Sequence, residues 1–359
     1  MKAAVCRQFG APLIIEDVSI AEPSAGEVKV KLAACAICHS DILFAEGGWD
    51  GDLPAIYGHE ASGIVTATGD GVRNLQPGDH VVVSLVRSCG QCSCCAQGYH
   101  GSCLGTFALD EKTPLFASDG TPIVHGLRTA AFAEYVTVEA SQVVAIAKDI
   151  SFDVACLLAC GVITGFGAVT NSAKVRPGSS VAIIGTGGVG LNTVQGAALS
   201  GSTTIIAIDV SDTKIEAAKL FGATHGLDAK SKNVAQAVKD LTNGFGADYV
   251  FVTVGAKQAF DQAPALVAPG GKIILVGMPA TGVMSEIDPG TIANDCISII
   301  GSKMGASNIH VDIPHLVEMY QAGRLKLDEL ITKRYPLEKI NDAIAAVKRG
   351  EALRNIIVF

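Results

Sequence analysis

Apolar and polar residues alternate in short runs from Met1 to about Ser151. EVKVKLAA, SGIVTATG, DHVVVSLV and FAEYVTV each gather their apolar residues on one face of an extended chain. Gln76-Pro77-Gly78-Asp79 and Ala25-Gly26-Glu27 are turn chemistry and mark where strands begin. A β-rich first domain follows. From about Gly161 the grammar changes. VAIIG, TTIIAID, YVFVTV and KIILVG are short and almost wholly apolar, as strands buried on both faces are, and helical segments, GGVGLNTVQGAALS and SDTKIEAAKLFG, follow the first two. Strand then helix, repeated, requires a parallel, doubly wound α/β sheet. Beyond about Lys303, IPHLVEMYQAGR and LEKINDAIAAVKRG read as amphipathic helices, and Arg354 to Phe359 as a closing strand.

With 359 residues and 49% hydrophobic content, the chain has core material for two domains. A net charge of −8 and no stripe of Lys or Arg argue against nucleic acid or anionic lipid as a partner. Two uncharged stretches, Val154 to Ala173 and Ser179 to Ile208, are long enough to suggest membrane spans, but glycines interrupt both, so no membrane is expected. MKAAVCRQFGAP lacks the apolar run of a secretory signal, which gives a cytoplasmic expectation. There the eleven cysteines stay reduced and free to bind metal.

Cys89, Cys92, Cys95 and Cys103 are separated by two, two and seven residues. Four thiolates on one short lobe close a tetrahedral site, which is structural zinc. SCGQCSCCAQGYHGSC has too little apolar content to fold without a clamp. A disulfide clamp is the alternative in an oxidising compartment. Cys94 is read as a non-ligand, with a register through Cys92 and Cys94 left open. Further on, Gly185-Thr186-Gly187-Gly188-Val189-Gly190 follows VAIIG and opens a helix, so a pyrophosphate can approach the helix N-terminus. Asp209, at the end of the next strand, supplies a carboxylate for ribose hydroxyls and repels a 2′-phosphate, favouring NAD over NADP.

GHEASGIVTATGDGV, from Gly58 to Val72, is Gly-His-Glu, two residues, Gly63, five residues, Gly69, two residues and Val72. With this signature the chain resembles the zinc-dependent branch of the medium-chain dehydrogenase/reductase family, from Val5 to Phe359, and is nearest in look to bacterial aryl and primary alcohol dehydrogenases. The resemblance implies a GroES-like catalytic domain of residues 1–160 and 304–359, with a zinc lobe at about 88–104, and a Rossmann domain of residues 161–303. It places Cys38, His59 and Cys160 on a catalytic zinc, making two zinc ions per subunit. That ligand set is the one known from alcohol dehydrogenases, and it leaves a fourth position for substrate. Read without the resemblance, Cys35 and Cys38 also make a redox CxxC, and Cys160 a small buried hydrophobe.

The same resemblance assigns further roles. Asp41 orients His59, Glu60 lies behind the zinc, and Ser40 takes the alcohol proton. His39 and Arg354 face pyrophosphate, Lys214 the adenine ribose, and Thr164 packs behind the nicotinamide. Leu43 stands where some members carry a relay histidine, so water, the ribose or His39 has to serve instead. Trp49, Leu85, Phe107 and Phe132 would make an apolar pocket, suited to aromatic or medium-chain primary alcohols oxidised to aldehydes with hydride transfer to NAD. The glutathione-dependent formaldehyde branch carries an acid and an arginine near positions 49 and 107, and this chain has neither. Two other readings are a polyol or thiol-adduct dehydrogenase of the same superfamily and a non-catalytic NAD-binding protein. The stretch Ile297 to Lys303 is expected to pair with its twin in a homodimer or homotetramer. Histidines 80, 100, 125, 225, 310 and 315 are expected at surfaces or turns, and Cys6, Cys156 and Cys296 in packing.

Overall fold

A computed structural model describes residues 1–359. The chain forms two compact units, Met1–Gly161 with Asn308–Phe359, and Val162–Ser307. The first unit is therefore discontinuous, and the return crossing comes a few residues later than position 304.

The first unit is built on Glu27–Ala36, ten residues in which Val28, Val30 and Leu32 are buried while Lys31 is exposed. Each of those apolar side chains contributes roughly 1.5–3 kcal/mol on burial. One edge of this strand pairs along its length with Glu60–Thr68. The other edge is shared: Tyr135–Glu139 takes its beginning, and Arg354–Val358 takes its end, at Ala34 to Ala36. The sheet continues through His80–Ser84 and Val143–Ala145 on one side and Ile331–Pro336 on the other, making seven strands. A small closed barrel of Lys2–Cys6, Ile14–Ile20, Leu115–Ala117, Pro122–His125 and Ala55–Ile56 packs into the same core.

The second unit is a six-stranded sheet. Its order is His225–Asp228, Thr204–Asp209, Ser180–Ile184, Ala247–Val252, Val267–Leu275 and Ser298–Gly301, and every neighbouring pair is parallel. Strand order reverses between Ser180–Ile184 and Ala247–Val252, the switch point at whose carboxyl end such sheets bind ligands. The glycine turn leaves the sheet there. His225–Asp228 was not legible in the sequence: HGLD is a half-exposed edge and lacks an apolar run. Ser298–Gly301 forms the other edge and is mostly exposed. No single helix is long and apolar enough to cross a membrane, and the Val154 to Ala173 stretch divides into segments bent by 49°.

Candidate active site

Cys38 follows the central strand and sits at the N-cap of the helix His39–Ala45. Asp41, in the first turn of that helix, is buried and accepts three hydrogen bonds: from Cys38 N–H at 2.9 Å, from Gly58 N–H at 3.0 Å and from His59 Nδ1 at 2.8 Å. One carboxylate thus fixes the backbone of two loops and the ring of His59. With Nδ1 held as the donor, Nε2 is the lone-pair nitrogen. Gly58 makes this approach possible: its φ is +93°, and a Cβ there would lie 2.6 Å from the Phe132 amide nitrogen.

The Sγ atoms of Cys38 and Cys160, a His59 ring nitrogen and a Glu60 carboxylate oxygen all lie within 4.8 Å of one another. The donor set fits zinc on two further observations. His59 Nε2 is buried with no hydrogen-bond partner, an arrangement that is costly for a polar atom unless a ligand occupies it. Cys38 is held well below the usual thiol range, chiefly by hydrogen bonding from Cys160 and then from His59, while the same bond raises Cys160 well above it, so one of the two sulfurs already takes the thiolate form that a metal needs. Ser40 Oγ lies 3.2 Å from Cys38 Sγ. Cys35 is buried, with its sulfur turned to the Ala36 carbonyl at 3.6 Å, so Cys38 groups with His59 and Cys160 and not with Cys35.

Behind these donors Glu60 forms a buried ion pair with Arg354, 294 residues away in sequence. Burial pushes the Glu60 carboxyl up to about 7 against the pull of that guanidinium. The resemblance assigned Arg354 to pyrophosphate; the partner the structure gives it is Glu60. Gly161 N–H also points to Glu60 Oε2 at 3.4 Å, and a Cβ on Gly161 would lie 3.1 Å from Arg354 Nη1.

In the lobe, Cys89, Cys92, Cys95 and Cys103 bring their sulfurs within 4.8 Å of one another, and Cys94 stays outside the group. Backbone N–H groups of Cys95 and Leu104 aim at Cys92 Sγ, each at 3.4 Å, and lower that thiol to about 6. Amide-supported thiolates fit a closed metal site. At the neck of the lobe the buried Arg87 pairs with Asp110 and lies 4.4 Å from the Phe107 ring centroid.

In the second unit Gly185 has φ +91°, and a Cβ on Gly190 would lie 1.9 Å from the Gly185 carbonyl oxygen, so the turn closes only with glycine at these points. Gly187 caps the helix Gly188–Leu199 with no side-chain hydrogen bond, and no atom lies within 4 Å of where its Cβ would be. The first N–H groups of that helix, from Gly188, Val189 and Gly190, fit a phosphate. Asp209 accepts from Thr186 N–H at 2.7 Å and Ser211 N–H at 3.0 Å, which places its carboxylate beside the turn. Lys214 is half-buried on the helix Asp212–Leu220, and the buried Thr164 lies 3.7 Å from Met304 Sδ.

Other expectations need correction. Phe132, expected at a pocket wall, is 1% exposed and packs in the core of the first unit, with its backbone bonded to Tyr57 and Ala4. Trp49, Leu85 and Phe107 remain half-buried, and Trp49 packs edge-on to Phe44 at 4.9 Å. His80 and His125 are half-buried, each with a buried Nδ1 without a partner; His125 caps the turn Gly126–Arg128, and burial lowers it to about 4. Cys296 is exposed, at φ +52°. His39 is exposed and Leu43 half-buried.

Comparison with known proteins agrees with this geometry. Residues 24–148 match the model described as an alcohol dehydrogenase GroES-like domain, and residues 188–322 that of a zinc-binding dehydrogenase. Alcohol dehydrogenase 1 of Pisum sativum is 38% identical, covering 99% of this chain and 96% of its own. A probable S-(hydroxymethyl)glutathione dehydrogenase 1 of Schizosaccharomyces pombe is 37% identical over the same shares. Among solved structures, benzyl alcohol dehydrogenase from Acinetobacter calcoaceticus superposes with a TM-score of 0.94 at 32% identity, covering 100% of this chain and 99% of that one.

Proposed function

Because the chain belongs to the zinc-dependent medium-chain alcohol dehydrogenases and is an oxidoreductase acting on alcohols, we propose that it oxidises aromatic or medium-chain primary alcohols to aldehydes with NAD. The buried, unpaired Nε2 of His59 beside two cysteine sulfurs carries this reading. Zinc, when bound, lowers the pKa of an alcohol, and NAD, when bound, accepts the hydride. The rest falls to the chain. Cys38, His59 and Cys160 would hold the metal. Asp41 fixes the His59 tautomer, and Ser40 takes the substrate hydroxyl proton and hands it to solvent, Leu43 being unable to relay it. Arg354 keeps the buried Glu60 compensated behind the donors.

Trp49, Leu85 and Phe107 offer the substrate apolar surface and no charge, which favours an aryl or alkyl group over a glutathione adduct. Benzyl alcohol, short and long primary alcohols, a secondary alcohol and S-hydroxymethylglutathione should be compared by the absorbance of NADH formed. Benzyl or medium-chain primary alcohols are expected to lead in kcat/KM. Preference for the glutathione adduct would sink the apolar-pocket reading.

Asp209 supports NAD over NADP. Asp209→Asn keeps an acceptor for the turn and removes the charge, so bonds to the ribose hydroxyls weaken by about 1.5–3 kcal/mol. KM for NAD is expected to rise about tenfold to a hundredfold, and the gap to NADP to narrow. An unchanged cofactor ratio would assign Asp209 to the turn alone.

The edge strand Ser298–Gly301 exposes Ile299, and Met284 and Ile287 nearby in sequence are also exposed. Unpaired, apolar strand edges are templates for pairing. This supports a homodimer, or a homotetramer built from it, through that edge. Sedimentation should give a dimer or tetramer, and Ile299→Lys should weaken it; a wild-type monomer at micromolar concentration would refute the pairing.

A further inference from the structure

Ser84 ends the strand His80–Ser84 and stands opposite Glu60 on the antiparallel ladder. It is fully buried. Its hydroxyl donates to the Ala159 carbonyl at 2.6 Å and accepts from Val86 N–H at 3.3 Å. Its own carbonyl accepts from Gln142 Nε2 at 2.9 Å, a nitrogen that also reaches the Arg128 carbonyl at 2.9 Å. Ala159 closes the short helix Cys156–Ala159, and Cys160 comes next, at φ −146° and ψ −69°, before the helix Gly161–Gly167 begins. Cys160 therefore sits in a kink between two helices, where helix geometry does not fix its sulfur.

The kink is tied on both sides to one rung of the sheet. Ala159 is held by Ser84, and Gly161 N–H points to Glu60, the residue across from Ser84 and next to His59. We propose that Ser84 is a positioning residue for Cys160: its hydroxyl sets where the Cys160 sulfur stands relative to Cys38 and His59, so the three-donor site is formed before metal binds. This rests on the zinc site proposed above. Removing the hydroxyl would leave the Ala159 carbonyl without this donor in a dry interior, where an unmade hydrogen bond is costly, and would free the kink to shift.

Ser62 supplies the control. It is equally buried on the neighbouring strand and donates to the Phe152 carbonyl at 2.5 Å, the same kind of bond, but eight residues before Cys160. The test loads cobalt(II) at the Cys38–His59–Cys160 site while the four-cysteine lobe keeps zinc. Thiolate-to-cobalt absorption and the rate of cobalt loss to a chelator are then measured in wild type, Ser84→Ala and Ser62→Ala. Loss about 10 to 100 times faster than wild type is expected in Ser84→Ala, with an altered spectrum. Ser62→Ala is expected to melt at lower temperature with the wild-type spectrum and rate. Ser84→Ala behaving as wild type, or Ser62→Ala behaving as Ser84→Ala, would overturn the positioning role and leave the metal site standing. A wild-type chain that takes up no cobalt there would overturn both. Should Ser84→Ala not fold, Ser84→Cys keeps the volume and replaces the hydroxyl by a weak donor to the Ala159 carbonyl; faster cobalt loss is expected, and an unchanged rate overturns the proposal.

Discussion

Cys160→Ser is expected to give a folded chain that has lost one of two zinc ions and at least about 10³-fold in kcat/KM. A serine hydroxyl does not ionise near neutral pH, so the site falls from three strong donors to two. Metal contributes several kcal/mol to stabilising charge as it develops on the substrate oxygen, and about 4 kcal/mol corresponds to that factor. The protein should still fold, because Cys160 is a single buried residue that stands outside the large core cluster of the first unit. Binding of NAD should survive as well, since the glycine turn and Asp209 lie in the other unit. Zinc analysis, thermal melting and NAD titration on one preparation separate these effects. Full turnover with one zinc per chain would remove Cys160 from the mechanism.

Local features of this site were legible from sequence, and distant ones were not. Four cysteines within one lobe declare themselves, because the chain between them is too short to place the sulfurs far apart. The glycine turn and Asp209 are likewise set by one strand, one helix and the next strand. Cys160 was assigned only through family resemblance: Glu60 and Gly161 are 101 residues apart, and nothing in the spacing says that the chain returns. Arg354 reads as a cofactor arginine when only its place in the sequence is known. Its pairing with Glu60 depends on the last strand being inserted beside Ala34 to Ala36, a register that side-chain alternation does not specify on its own. The core packing of Phe132 was equally hard to read, since an aromatic beside small residues suits a pocket wall or a core. Ser84 carries no sequence signal at all: it ends an ordinary buried strand, and only the fold sets it opposite Glu60 and against the Cys160 kink.

Loss of the lobe metal is expected to unfold residues 89–103 while the rest of the first unit stays native. The lobe has almost no core of its own. Its ordered parts are the four-residue helix Ser93–Ala96 and the three-residue turn His100–Ser102, Cys95 is its buried residue, and Tyr99 and Leu104 are largely exposed. Such a segment is ordered by its metal, so metal binding and folding are one equilibrium. The neck has contacts that do not involve the four sulfurs, the buried Arg87 pairing with Asp110 and lying against the Phe107 ring. In Cys103→Ser, amide exchange within 89–103 should therefore accelerate by about 10³-fold or more and proteolysis should concentrate there, while exchange in Glu27–Ala36 and in the second unit is unchanged. Acid should act in the same direction. Protons compete with metal for the four thiolates, so lobe zinc is held near neutrality and released as pH falls. Protection of 89–103 that persists in Cys103→Ser, or in chelated protein at pH 5, would mean that packing and not metal orders the lobe.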